Sequence, residues 1–580
     1  MFKKEIYCSM VKRFLLGIFV FGIGMSLVQA QTKRELNQEV KVVKAYKPVI
    51  SDAKRISVLP NIVDTSHFTP TFSYQVHTRP LFEQFSPLAI QAARLVGEPL
   101  IPLYGSRLRL AGGNYATLLG DFWYGSLRSD KYDFGVHLSH FSRNGKVTLE
   151  NGDKEKMDRS SQRAEMKGKI FLKEGQVTGK VFVLRNGIRY YGYPNKELPL
   201  TEESKSLTLK QHYLEAGVNL GYLTDFGDEG RMNYSVNADF IHFTDDFKVR
   251  ENLLLIGGNV VKRSMNTFWG LDGNLTIYNT KGLSYWDEKG KLQDDRNSGV
   301  VRLNPYFLWQ SGRWNLKLGA KTYLAMGDDS QVKLYPDIDI EFNAVKHVLT
   351  LFARVDGELE TNDYRDIVKE NPYIYSGLNV KNTDRQYQFT GGVKGRFSSN
   401  VSYIVSAGYS QVKNQYFFAQ QPVFNPSLSS AFLIGYVQNK FGVVYDDINR
   451  LELASDLHIK WNKELSFDAS AKFYQYDMDK QQKPWHMPGF EMSVDANYLW
   501  NEQWRFNAAL KLMDKRYVIR GGSVNALGGV YQLNLGADYE INDNFNAFVH
   551  LNNILADKYY PWDGYPEQGF NALLGLSVKF

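Results

Sequence analysis

Few residues of this chain could do covalent or metal chemistry, and their spacing does not favour it. His137 and His140 are the only close histidine pair. On a strand, positions three apart face opposite sides, so the two cannot share one metal ion. Asp245-Asp246 and Asp328-Asp329 offer oxygen ligands in expected loops, but no spaced ligand run surrounds them, and they read as solvated loop charges. His550 and Asp538 share an inward parity on neighbouring segments, whereas a hydrolase would also need a matched serine or aspartate. Cys8 is the only cysteine and lies ahead of the apolar run 14–28, which excludes thiol catalysis and Cys-ligated zinc from an exported chain. The expectation is a protein that is not an enzyme, with no catalytic residue, no metal and no cofactor.

What must position any site follows from composition. The chain has 580 residues, 43% of them hydrophobic, yet its mean hydropathy is −0.37. Beyond residues 14–30 no apolar run reaches the ~18 residues of a membrane-spanning helix. Aromatic residues make up 14%, and 48 glycines stand against 18 prolines, a balance that suits one large β structure. A net charge of +7, spread along the chain, is too mild for a nucleic-acid partner.

The amino terminus reads as an address. Lys3, Lys4, Lys12 and Arg13 precede the apolar run, and Val28-Gln29-Ala30 closes it as a small-residue cleavage pattern, so residues 1–30 are read as a secretory signal. Residues 31–103 carry Pro48, Pro60, Pro70, Pro80, Pro87, Pro99 and Pro102 with no sustained period, and are expected to be an extended periplasmic segment. Within it, the apolar residues of 80–97 suggest one short packed helix ending at Gly97.

From there to the end the period is two. Phe570, Ala572, Leu574, Leu576, Val578 and Phe580 alternate with Asn571, Leu573, Gly575, Ser577 and Lys579, and the same dyad recurs around 545–552, 531–540, 504–512, 465–473 and 314–321. One apolar face and one mixed face suit a strand with lipid on one side and a polar lumen on the other. Arginine should therefore be costly at Leu574 and tolerated at Ser577. Short polar connectors at 311–313, 397–400, 461–464, 500–503 and 541–544 take turns with long ones at 190–207, 279–297, 361–385, 414–445 and 476–486. Short turns at one end and long loops at the other, with tryptophan beside the short turns, predict a transmembrane antiparallel β-barrel of about 22 strands over residues 104–580, all-β, its first strand near 106–110.

The stretch Leu551-Asn552-Asn553-Ile554-Leu555-Ala556-Asp557-Lys558-Tyr559-Tyr560, followed by Gly564-Tyr565-Pro566-Glu567-Gln568-Gly569 and the last strand, resembles the carboxyl end of TonB-dependent receptors. Val444-Tyr445-Asp446-Asp447-Ile448-Asn449 is similar to strand beginnings in the same barrels, particularly those of Bacteroidetes-type bacteria. The resemblance covers roughly residues 104–580. It implies a Gram-negative outer-membrane location, outer-membrane lipid around the barrel, and transport. The chain departs from that family in two respects. Phe570 replaces the usual arginine, and residues 31–103 lack the Arg-Gly and Asp-Gly pattern of the plug that fills such barrels. Glu39-Val40-Lys41-Val42-Val43 could pass for a short energy-coupling box, or belong to an extended segment lying against the barrel or a partner.

Two groups of residues are candidates for binding. Lys317, Lys321, Asp468, Lys472, Arg505, Lys511, Asp538, Glu540 and His550 fall on the lumen face, where they either bind a polar or anionic solute or neutralise one another in a salt-bridge network. Tyr416, Phe417, Phe418, Tyr559, Tyr560 and Trp562 fall in long loops, where they either grip a ligand or partner or pack the loops over the mouth. Two functions follow: a plugless barrel transporting or conducting a solute, or an accessory subunit of an outer-membrane assembly or export complex. In the second, residues 31–103 dock a periplasmic or outer-membrane protein.

Overall fold

The computed structural model describes residues 104–580 apart from 151, 193–209, 225–229, 287–291, 328–329, 377, 379, 421–439 and 521. The expected signal, the 31–103 segment with its 80–97 helix, and Asp328-Asp329 lie outside the described residues.

Twenty-two of the strands that these residues form make one closed antiparallel barrel. Closure is made by Ser106–Gly113, which pairs with Thr117–Gly125 on one side and with the last strand, Asn571–Lys579, on the other. The register sets Arg107 opposite Lys579 and Gly113 opposite Leu573. Backbone hydrogen bonds from Ser106 N to Phe580 O (2.8 Å) and from Phe580 N to Ser106 O (3.0 Å) finish the seam. A closed barrel leaves no backbone edge unpaired, which is the condition for β structure in lipid.

Strand length follows from where the strands end. Several run for 20 residues, including Thr267–Trp286, Leu292–Ser311, Val401–Gln420 and Phe441–Lys460. A tilted strand needs only ~9–11 residues to cross the bilayer, so the remainder stands beyond it at the long-loop end. Two expected connectors are corrected accordingly. Most of 279–297 is strand, and Tyr416, Phe417 and Phe418 lie on Val401–Gln420 rather than in a loop. The first tight turn is Asn114-Tyr115-Ala116, with Tyr115 (φ 55°) and Ala116 (φ 47°) left-handed. Gly112 and Gly113 stay in the strand, where a Cβ on Gly113 would stand 2.3 Å from Ala572 O.

The outer wall is apolar. Leu574 and Leu576 are 68% and 56% exposed on it, whereas Ser577, one residue on, is 1% exposed on the inside. Trp314, Trp461, Trp500, Phe397 and Phe580 ring the short-turn end, and Trp504 packs on Tyr539 at 4.4 Å. No described helix is long and apolar enough to cross a membrane.

Candidate functional site

A buried core forms where a sandwich would have none, at the long-loop end of the barrel. Residues 361–382 leave Leu349–Glu360, fold inward and return to Thr383–Ser398. They carry a helix of about two turns, Tyr364–Glu370. The Asp363 side chain caps it by accepting from Asp366 N at 2.7 Å. Propensity alone cannot hold so short a helix; the opposing strands do. The carboxylate of Glu251, itself hydrogen-bonded by Thr280 Oγ1 (2.8 Å), accepts from Tyr364 N (3.1 Å) and Arg365 N (3.2 Å). Tyr364 OH donates to Asp245 (2.8 Å), which also accepts from Ser376 Oγ (2.9 Å) and Gln211 Nε2 (3.2 Å). Lys369 and Arg365 reach Glu215 at 3.0 and 3.5 Å. Asp245 is thus a buried anchor and not a solvated loop charge. Burial and the neighbouring carboxylates of Glu251 and Asp366 push the Asp363 carboxyl up to about 8.

Residues 553–570 come in from the opposite side. Asp563, fully buried, accepts from Arg520 Nε at 2.9 Å; Arg520 stands on a small hairpin, Arg516–Arg520 with Ser523–Leu527, outside the barrel sheet. His486 Nδ1 donates to Phe418 O (2.9 Å), which leaves Nε2 to accept from Asp563 N (3.4 Å). Burial lowers this imidazole to about 3, so it stays neutral. The two loops meet where Tyr373 stacks on Tyr565, ring centroids 3.7 Å apart. Tyr191 closes the cluster edge-on to Tyr565 (5.0 Å) and donates to Pro566 O (3.0 Å). Tyr190, Tyr213, Phe243, Tyr364, Ile367, Ile374, Phe418 and Phe441 surround them in one buried core.

The expected loop aromatics divide around this core. Phe417 and Phe418 are buried, Trp562 packs on Phe418 at 4.9 Å, and Tyr416 OH donates to Glu370 at 2.5 Å. Tyr559 is half-buried and accepts at its carbonyl from Glu567 N (2.9 Å), and Tyr560 gives its carbonyl to Arg516.

Below the core the lumen face keeps its charges. Lys317 pairs with Asp337 (2.7 Å), Lys321 with Asp356, Asp468 with His458 (2.6 Å) and Glu540 with Lys579 (3.5 Å). Arg505, Asp538 and His550 come together with Arg107, Arg109, Lys460 and Lys463 around a recess of about 670 Å3 near the short-turn end. Lys472 and Lys511 stand outside it. His137 faces the lumen, 3.3 Å from Asp121 and stacked on Trp123 (3.5 Å), while His140 faces outward beside Gln162. No group of three or more metal-ligating side chains forms among the described residues.

Sequence reasoning missed the loop helix and the hairpin. Asp363 three residues before Asp366 is a capping signal, and Gly521-Gly522 between two β-branched stretches is a hairpin signal.

No family model matches the chain, and no curated protein is similar to it. Solved barrels are. The FrpB iron transporter from Neisseria meningitidis superposes with a TM-score of 0.62 at 12% identity, covering 83% of this chain and 82% of that one. The siderophore receptor PirA from Acinetobacter baumannii gives 0.63 at 10% identity, over 83% and 81%. The pyoverdine receptor FpvA from Pseudomonas aeruginosa gives 0.59 at 10%, over 83% and 79%. At such identities the likeness is one of fold: the closed 22-stranded barrel of this chain superposes on the barrels of these receptors and transporters.

Proposed function

We propose that the protein is an exported outer-membrane barrel of Bacteroidetes type that moves a polar or anionic solute, and that its own loops, rather than a conventional plug, keep it shut. The observation that carries this is the meeting of residues 361–382 and 553–570 in one core across the mouth, fixed at Tyr373 and Tyr565. A wide pore left open would be costly to a cell, and this core is a closure that can be released by moving two loops. Below it, the cationic recess at Arg107, Arg109 and Arg505 supplies charge for an anion. Relatives in fold described as iron and siderophore receptors support transport as the class of function.

The same closure favours a second reading, an accessory subunit whose residues 31–103 dock a periplasmic or outer-membrane protein, because a scaffold needs a sealed mouth and no route through it. Conductance in planar bilayers separates the two. Unaltered chain and a Tyr373→Ala/Tyr565→Ala variant are compared, and the transport reading expects the variant to conduct and an anion to carry the current. A variant with a loosened mouth that still passes no ions sides with the scaffold.

A further inference from the structure

The outer wall holds a charge arrangement that neither transport nor closure uses. Along Gly175–Arg189 the outward residues run Val177, Gly179, Val181, Val183, then Arg185, Gly187 and Arg189. On its neighbour Lys210–Leu223 they run Tyr222, Leu220, Val218, Ala216, Leu214, then His212 and Lys210. The apolar band ends at Val183 on the first strand and one rung further, at Leu214 opposite Arg185, on the second, and basic side chains follow on both. The register sets Arg189 directly opposite Lys210. Three strands further on the pattern repeats: above Leu254 and Ile277, Arg250 stands opposite Lys281.

Like charges directly opposite on one sheet face destabilise it. Among the described residues no ion pair offsets either of these two pairs. Asp158 and Asp246, the nearest carboxylates on the first face, are taken by Lys156 (3.7 Å) and His212 (2.8 Å). Asp295 flanks Lys281 on the other side without an ion pair to it. No carboxylate of the described residues pairs with Arg185, Arg189, Lys210, Arg250 or Lys281. A third like-charge pair, Lys146 opposite Lys156, stands on the same outer face two strands back, while strands elsewhere on the wall lack the pattern. At the corresponding level Leu465–Met478 carries Gln475 and Asp477, and Trp314–Gly327 stays apolar up to Leu324 and Met326.

We propose that this arc is a binding site for the phosphate groups of an outer-leaflet glycolipid, held chiefly by Arg185, Arg189 and Lys210, with Arg250 and Lys281 as a second clamp. The level is that of the headgroups, where basic side chains attract anionic lipid while the apolar residues below them contact acyl chains. A phosphate between Arg189 and Lys210 turns their repulsion into two charge-assisted hydrogen bonds. A glycolipid, rather than free phosphate, is the occupant because the cations continue directly from a lipid-facing surface. The inference rests on the outer-membrane reading above.

The test uses the full chain in neutral detergent, with lipid A and fully dephosphorylated lipid A as probes, read by native mass spectrometry. The unaltered chain should retain lipid A and release the dephosphorylated form. Lys210→Glu replaces a repulsive pair by an attractive one, so heat-modifiable migration should persist while lipid A retention falls at least about tenfold, since two units of charge change at the site. Equal retention of the two probes by the unaltered chain, or undiminished retention by a folded Lys210→Glu barrel, overturns the proposal. Inorganic phosphate displacing lipid A at low millimolar concentration would also overturn it, because the site would then hold the anion alone. Failure of the unaltered chain to migrate as a heat-modifiable barrel would instead remove the membrane reading on which the proposal stands.

Discussion

Tyr373 and Tyr565 lie 192 positions apart in the chain and stack face to face at 3.7 Å, joining the 361–382 and 553–570 loops. Each ring is buried, and Tyr565 also meets Tyr191 and Phe441. Tyr565→Ala removes a shared wall and should cost about 3–5 kcal/mol of the loop packing, the range for emptying a large aromatic site. Because the barrel wall does not depend on the contact, the loss should be local. Hydrogen exchange should quicken in both 361–382 and 553–570 while the strands keep their protection.

The closure should respond to pH through Asp363. Its folded-state value of about 8 lies above the ~3.9 of an aspartate in water, so its protonated form is favoured by the docked loop. The stabilisation is complete below the unfolded value and is lost as pH rises through the folded one. Docking of the Tyr364–Glu370 helix should therefore weaken between about pH 4 and pH 8. The carboxyl of Glu370, which partial desolvation raises although Tyr416 OH donates to it, acts in the same direction. Asp363→Asn keeps a good N-cap without the titration. Protease cleavage within 361–382 should rise with pH in the unaltered chain and rise far less in this variant.

Arg520 and Asp563 make the second tie. Arg520→Ala leaves a fully buried carboxylate without its cation, a loss of about 3–5 kcal/mol for a buried pair broken on one side. Limited proteolysis at 553–570 should reveal it. Restoring the cation as lysine should recover only part of the protection, because lysine lacks the fork that meets both carboxylate oxygens.

The two faces of a strand should differ under arginine scanning. Leu574→Arg puts a charge into lipid and should cost ~2–4 kcal/mol in equilibrium refolding into vesicles. Ala509→Arg points into the lumen opposite Asp495 and should stay within ~0.5 kcal/mol. Ser577 is not the tolerant site that parity suggested. It faces inward, but Arg107 Nε donates to its Oγ at 3.1 Å, and a second arginine there would meet the first.

That correction marks what the sequence could convey. Barrel, strand number and faces were readable because lipid imposes a period of two on every strand, as at Leu574 and Leu576 against Ser577. Turns were readable where a short polar run stood beside Trp461 or Trp500. The closure was not. The Tyr364–Glu370 helix is too short to carry its own periodic signal, and its partners Glu251, Asp245 and Glu215 lie more than a hundred residues away. Tyr416, Phe417 and Phe418 looked like loop residues because strands that outrun the bilayer lose the lipid-facing alternation that identifies them.

Closure of the mouth by the protein's own loops is tested most directly by single-channel recording of the full chain in planar bilayers. The account predicts no steady open current from the unaltered chain and discrete openings once Tyr373 and Tyr565 are both alanine, more frequent at pH 8 than at pH 5. A large, stable conductance from the unaltered chain, unchanged by the double substitution, would contradict it.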